Sequence, residues 1–238
     1  MNILSIDTST KNFSLALAKN GKVLRYRNIF LDKVLESSMI PAIHDLLNKA
    51  GIKFSQLDGF AVGLGPGSFT SLRVGVSTMK AFSLTTGKPI VGICSLDAVA
   101  ENVIDEPCDE ICVMMDARRS MVYACLYQKK NGELVRKTEP MLTDVDKLLY
   151  HVKGCTLFVG DVVSLYQEKI LNAYLSAAKQ SPSCKALFAP PEKAVVKATK
   201  ISLLAYRRFI KNVYDESGTL VPVYLYAQDC QVQPKLTK

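Results

Sequence analysis

The sequence is short of the residues on which many catalytic and metal sites depend. It has only two histidines, His44 and His151, and neither has a partner at metal-ligand spacing, which excludes most His-dependent metal sites. No apolar run approaches the roughly 20 residues needed to span a bilayer. Asp7 interrupts the first apolar stretch before a signal-peptide core can build up. The expectation is therefore a cytoplasmic protein with no membrane association. No Cys-x-x-Cys occurs, and Cys108 and Cys112, the nearest of the seven cysteines in sequence, are separated by three residues. Neither a zinc ribbon nor a redox dithiol is indicated. An odd set of scattered cysteines suits reduced thiols, each read as a small buried apolar side chain.

What is present is a globular composition. Of 238 residues, 48% are hydrophobic and 22% charged, enough for one large domain or two modest ones, each with its own core. Thirty Lys and Arg against 22 Asp and Glu give a net charge of +8. That balance favours anionic partners such as nucleic acid without requiring one.

The chain opens with the apolar run Ile3-Leu-Ser-Ile-Asp7, which ends in a carboxylate and enters the polar turn Thr8 to Asn12. Strand-like runs follow at Phe13 to Ala18 and Val23 to Phe30, separated by Asn20-Gly21, a tight-hairpin signal. A helix is predicted from about Lys33 to Ala50, with Gly51 at its C-terminal cap. Then come the strand Gly59 to Gly63, a glycine-rich loop, a long helix from Thr70 to Thr86, and the strand Pro89 to Cys94. Ser95 is expected to cap a short helix ending near Val103.

Asp105-Glu-Pro-Cys-Asp-Glu110 reads as a linker, and the pattern then repeats. Cys112 to Asp116 is again an apolar run ending in Asp, followed by a turn, the strand Met121 to Tyr127, the hairpin signal Asn131-Gly132 and the strand Glu133 to Thr138. Leu157-Phe-Val-Gly160 echoes Phe60-Ala-Val-Gly63. The expected fold class is α/β, with the actin-like ATPase (ASKHA) fold as two duplicated βββαβα-type lobes. The first lobe covers 1–103 and a degenerate second lobe covers 104–238, with a C-terminal segment that can pack back on the first.

In such folds, paired strand-Asp-turn hairpins grip nucleotide phosphate. Asp7, Thr8, Ser9 and Thr10, with Gly65, Gly67 and Ser68 at the start of the following helix, are accordingly the candidate phosphate-binding residues. The competing reading is structural: Asp7 satisfies N–H groups of its own turn, and the glycines let strand and helix pack tightly. In the second lobe, Asp116-Ala-Arg-Arg-Ser120 has no glycine, so only its arginines are offered to an anion. The loop Gly63 to Thr70 is neither a P-loop nor a dinucleotide fingerprint.

Two helices of the first lobe carry more apolar surface than one sheet face requires. Leu35, Met39, Ala42 and Leu46 form a seam on one, with Ile40, Ile43 and Leu47 beside it. Phe69, Leu72, Val76 and Met79 form a seam on the other, with Val74 and Ala81 almost opposite. Of these, Leu35, Met39, Ala42, Leu46, Leu72, Val76 and Met79 are the candidate partner interface, unless the second lobe covers them. The enzymatic alternative, a stand-alone actin-like kinase or ATPase, needs a glycine pair for the adenosine. Nine of thirteen glycines lie by Gly92, and the remainder offers only Gly132, Gly154, Gly160 and Gly218. A peptidase has no recognisable nucleophile, histidine and acid.

Ile3-Leu-Ser-Ile-Asp-Thr-Ser-Thr10, Asp58-Gly-Phe-Ala-Val-Gly63, Gly65-Pro-Gly-Ser-Phe-Thr-Ser-Leu-Arg-Val-Gly75, Ser95-Leu96, Asp116-Ala-Arg-Arg119 and Pro222-Val-Tyr-Leu225 together resemble the TsaB (YeaZ) family. The likeness is continuous over about the first hundred residues and sparser to about residue 225. It implies a non-catalytic scaffold of the bacterial machinery that makes N6-threonylcarbamoyladenosine beside the tRNA anticodon. It further implies pairing through first-lobe helices with a TsaD-like catalytic paralogue, support from a TsaE-like ATPase, and a homodimer when alone. On this resemblance tRNA is met through the complex, this subunit requires no cofactor and holds no metal, and ATP and metal belong to the partner subunits. Two departures stand out: Leu35-Glu36-Ser37 replaces the family's usual His-Ser-Glu, and Ser71 replaces its usual glycine.

Overall fold

The computed structural model describes residues 1–30, 35–152, 154–178 and 185–226, and the statements below concern these. Three antiparallel strands, β1 (Asn2–Asp7), β2 (Asn12–Lys19) and β3 (Lys22–Phe30), lead into α1 (Leu35–Ala50), β4 (Gly59–Gly63), α2 (Phe69–Thr86) and β5 (Ile90–Ile93). After α3 (Ser95–Ala100) and the 3-10 turn Glu101–Val103, the sequence of elements begins again. It runs through β6 (Glu110–Asp116), β7 (Val122–Lys130), β8 (Glu133–Arg136), the short β9 (Met141–Thr143), α4 (Val145–His151), β10 (Cys155–Val159), α5 (Val163–Ala178), β11 (Lys185–Phe188) and α6 (Ala198–Phe209). The expected start of α1 at Lys33 lies outside the described residues.

The duplication is explicit in the strand order. One sheet runs β3-β2-β1-β4-β5 and the other β8-β7-β6-β10-β11, with β9 added beside β7. In each, the first three strands are antiparallel and the last two join in parallel. Both predicted hairpin turns take left-handed backbone at each central residue, with φ of 51° and 77° at Asn20-Gly21 and 52° and 78° at Asn131-Gly132. This is the two-residue turn whose twist matches its strands.

Five layers result. α1 and α2 cover one face of the first sheet, burying Leu4, Ile6, Phe13, Leu15 and Phe60. α4 and α5 cover the outer face of the second sheet over Cys112, Met114, Leu126 and Phe158. Between the sheets lie α3 and α6, packed on Ile3, Ala61 and Val91 from one side and Ile111, Val113 and Tyr123 from the other. The central strands are apolar on both faces because both faces are covered. The middle helices are exchanged: α3 follows the first sheet yet packs on β6 and β7, whereas α6 follows the second yet packs on β1, β2, β4 and β5.

This packing corrects the expected partner seam. Leu35, Met39, Ala42, Leu46, Leu72, Val76 and Met79 are all buried within this chain, none more than 6% exposed. All but Leu72 belong to the core beneath α1 and α2; Leu72 packs at the glycine loop, where a Cβ on Gly65 would meet its Cδ1 at 2.6 Å. The neighbouring seam residues Ile43 and Leu47 are buried in that core too, and Ile40 alone of them faces out, at 51%. The wide apolar stripe is consumed by the sheet on one side and α2 on the other. The linker expectation is corrected at its end, because Glu110 is the first residue of β6, buried and ion-paired with Lys137.

The C-terminal stretch lies along the first sheet and α2. Asp215 accepts from Gly92 N at 2.7 Å and pairs with the Arg208 guanidinium. Lys80 Nζ donates to the carbonyls of Gly218 and Leu220, and Val223 N donates to Leu64 O. Residues 227–238 lie outside the described set. Among the described residues, no helix is long and apolar enough to cross a membrane.

Candidate functional site

The seven candidate phosphate residues meet where β1 ends against the glycine loop. Asp7 Oδ1 accepts from both Ser9 N and Ser9 Oγ, at 2.9 and 2.6 Å, and Oδ2 accepts from Ser95 Oγ at 2.6 Å. Ser95 Oγ in turn accepts from Gly65 N. Thr8 Oγ1 donates to Ser71 O, and Ser68 N donates to Ser9 O. Thr10 Oγ1 bonds the backbone of Asn12. Asp7, Thr8, Ser9 and Gly65 are buried; Thr10 and Gly67 are half-buried and Ser68 is exposed.

The glycines are required by this closure. A Cβ on Gly63 would overlap Asp7 Oδ2, one on Gly67 would overlap Ser9 O, and one on Gly75 would overlap Thr8 Oγ1. Burial pushes the Asp7 carboxyl above the usual carboxylate range, against the Ser9 and Ser95 hydrogen bonds that favour its charged form. The sequence expectation of a phosphate grip is thus corrected for Asp7, Thr8 and Ser9: the carboxylate and these two hydroxyls are buried and bonded inward, whereas Thr10 and Gly67 are half-buried and Ser68 is exposed. The helix-cap expectation changes with it: Cys94 stands at the cap of α3, and the Ser95 hydroxyl serves Asp7 instead.

The second lobe repeats the motif in a more open form. Asp116 Oδ1 accepts from Arg118 N at 2.7 Å, the counterpart of Ser9 N on Asp7. Asp161, after β10, accepts from Asp116 N, and burial raises its carboxyl. Arg118, Arg119 and Ser120 take φ of 63°, 51° and 58° without a glycine among them. Each such residue costs roughly 1–2 kcal/mol, and no sequence signal foretold it. Ala117 N to Met121 O and a bond from Tyr226 OH to Ala117 O hold the turn.

A surface group at the start of α2 corrects the seam at Phe69, which faces solvent while Leu72, Val76 and Met79 are buried. The Arg73 guanidinium stacks 3.8 Å above the Phe69 ring, its Nε donates to Tyr224 OH at 3.1 Å, and the two rings are 5.2 Å apart. Phe69 and Tyr224 are 53% and 44% exposed. The signal was present in the Phe69-x-x-x-Arg73 spacing, but Tyr224 is 151 residues from Arg73.

Elsewhere, a cleft of about 280 Å³ between α3, α6 and β8 is lined by Asp97, Glu101, Glu133, Arg136, Arg207 and Lys211. Its charges are mostly matched: Arg136 grips Asp97 through two nitrogens, Tyr127 OH donates to Asp97, and Arg207 pairs with buried Glu101. Asp97 raises Arg136 further above its ordinary value, and burial pushes the Cys94 thiol up to about 12. Among the described residues no group of three or more His, Cys, Asp or Glu is placed to hold a metal ion.

A family model described as TsaD: tRNA N6-adenosine threonylcarbamoyltransferase matches residues 33–227, a stretch running through both sheets. The tRNA threonylcarbamoyladenosine biosynthesis protein TsaB of Bacillus subtilis (strain 168) is 34% identical over 174 residues, covering 71% of this chain and 75% of that protein. The Escherichia coli (strain K12) protein of the same name is 30% identical over 134 residues, 56% of this chain and 58% of its own. Among solved structures, YeaZ from Pseudomonas aeruginosa aligns with a TM-score of 0.77 at 23% identity, over 94% of this chain and 99% of its own. A ROK hexokinase from Thermus thermophilus reaches 0.54 at 12% identity, over 89% and 100%. These two likenesses speak to the fold, an actin-like one, and the hexokinase lends the kinase alternative nothing further. Given the Bacillus relative's 34% identity over most of both chains, the chain belongs to the TsaB (YeaZ) family.

Proposed function

We propose that this protein is an accessory subunit in the biosynthesis of N6-threonylcarbamoyladenosine in tRNA, acting in the cytoplasm as a non-catalytic scaffold. It pairs with a TsaD-like catalytic paralogue, works with a TsaE-like ATPase, and forms a homodimer when the paralogue is missing. It requires no nucleotide or metal of its own; those belong to its partners, and tRNA is met in the assembled complex. The observation that carries this reading is the closed Asp7–Ser9–Ser95 cluster, in which a carboxylate placed where an actin-like enzyme grips phosphate is instead buried and bonded inward. Pairing is expected at the outward faces of the first-lobe helices, where Ile40 of α1 and Phe69 and Arg73 of α2 are exposed. Stacked aromatic and arginine side chains of this kind are common interface anchors.

The test is reconstitution. The purified chain alone should make no threonylcarbamoyladenosine and turn over no ATP, and addition of the paralogue and the ATPase should restore synthesis that none of them performs singly. Modification activity that stays with this chain through further purification would overturn the reading.

A further inference from the structure

We propose that the free edge of β3 is a docking site for an extended acidic peptide segment of a partner protein. The segment adds to the first sheet as a further strand, with carboxylate and apolar side chains in alternation.

A sheet edge is a row of unpaired N–H and C=O groups, which a folded chain ordinarily covers or keeps short. Among the described residues this chain does so at every edge but one. Along β5, Asp215 bridges to Ile90, its N–H donating to Ile90 O and its carboxylate accepting from Gly92 N. The second sheet ends in the four-residue strands β8 and β11, with the three-residue β9 beside β7. β3 instead runs for nine residues, and among the described residues its backbone pairs only with β2. All of its residues except Leu24 and Ile29 are exposed.

From Arg25 to Phe30 the register with β2 is regular and assigns the two faces of the edge. Arg25 and Arg27 stand opposite Leu17 and Leu15, which belong to the core under α1 and α2, and Arg27 pairs with Asp45 of α1. Tyr26, Asn28 and Phe30 stand on the other face, where Asn28 accepts from Ser14 Oγ and Ser14 Oγ accepts from Ala198 N. A strand laid alongside therefore meets guanidinium groups on one face and the exposed Tyr26 and Phe30 rings on the other. Acidic residues alternating with β-branched apolar ones match both faces.

Charge selects the occupant. Residues 22–30 hold Lys22, Arg25 and Arg27 and no acid, and Lys19 stands opposite Lys22 at the turn. Lys22 and Arg25 have no acidic partner among the described residues; Arg25 donates to the Leu24 carbonyl of its own strand. A second copy is disfavoured. Antiparallel pairing of β3 with itself about Tyr26 sets Arg25 opposite Arg27 of the second copy, and pairing about Arg25 sets that residue against itself, and like charges directly opposite destabilise a ladder. The same cations attract a strand of opposite sign, whose backbone supplies the hydrogen bonds that the edge lacks.

The experiment uses the full chain and a labelled peptide of about eight residues that alternates Glu and Val, with a Lys and Val peptide of the same length as control. The acidic peptide should bind, with an affinity that falls several-fold between about 50 and 300 mM salt, and should slow amide exchange in β3 but not in β5, β8 or β11. The basic peptide should not bind. An acidic peptide methylated at every backbone nitrogen keeps its charge but cannot donate to the edge, and it should not bind either. Arg25→Glu should weaken binding about tenfold while the thermal melt stays near native, since this side chain is exposed. Should that variant fold poorly, Lys22→Glu at the exposed start of the strand gives the same readout. Binding of the methylated peptide, slowed exchange outside β3 alone, or no binding of the acidic peptide would overturn the proposal. So would tighter binding of a single-stranded oligonucleotide at these residues, which would assign the cations to nucleic acid.

Discussion

The Ser95 hydroxyl donates to Asp7 Oδ2 at 2.6 Å, joining the first residue of α3 to the last of β1 across 88 positions of sequence. Through this bond the middle layer fixes the turn that an actin-like enzyme would leave open to ligand.

Asp7 should make stability depend on pH. Its folded-state pKa lies above the reference value of 3.8, chiefly through burial. Between those two values the folded chain holds a proton that the unfolded chain has released. The Asp7 contribution is fully present below the unfolded pKa and is lost as pH rises through the folded one. Asp7→Asn carries no proton to lose, so its urea midpoint should gain on the native chain's as pH climbs from about 4 to 7. Curves that stay parallel would contradict this. Pairing with the paralogue should survive the change.

Met39→Glu and Val76→Glu should unfold the first lobe. Both side chains are at most 3% exposed within its core, and an unpaired buried carboxylate costs several kcal/mol. Ile40→Glu, on the outward face of the same helix, should leave the thermal melt near native and weaken binding to the paralogue. Calorimetry of the three variants checks the first part, and a pull-down checks the second.

Gly67→Ala should destabilise by about 1–3 kcal/mol, because its Cβ would overlap the Ser9 carbonyl and the backbone must shift. Gly218→Ala should be near neutral, since its nearest neighbour would be 3.7 Å away at the end of a flexible Glu216 side chain. Urea midpoints of the pair measure the contrast.

Asp97→Ala should cost about 1–3 kcal/mol by leaving Arg136 and the Tyr127 hydroxyl without their shared acceptor. Arg136→Met removes the charge as well and should cost less than Asp97→Ala, because it leaves Asp97 with the Tyr127 donor. Equal losses in the two variants would show that the bidentate contact itself sets the cost.

What the sequence made legible was local and repeated. Apolar runs ending in Asp7 and Asp116, together with the turns at Asn20-Gly21 and Asn131-Gly132, signal their strands and hairpins wherever they occur. The helix seams were legible as apolar faces, but periodicity cannot say what covers a face, and the sheet claimed what was assigned to a partner. Equally hidden was the Asp7–Ser95 bond, because no local rule links residues so far apart. Arg118 to Ser120 gave no warning because left-handed backbone is normally announced by glycine or asparagine.

The exchange of α3 and α6 between the sheets means that neither half of the chain is complete when severed from the other. A fragment ending after Val103 would carry a helix whose packing surface lies in the missing half, and would leave Ser14, Gly21 and Gly59 without the Ala198, Tyr206 and Phe209 that cover them. The remaining fragment would have the reciprocal deficit. Expressed separately, each should be insoluble or molten; expressed together, they should complement one another and reassemble, each supplying the helix that the other's sheet lacks.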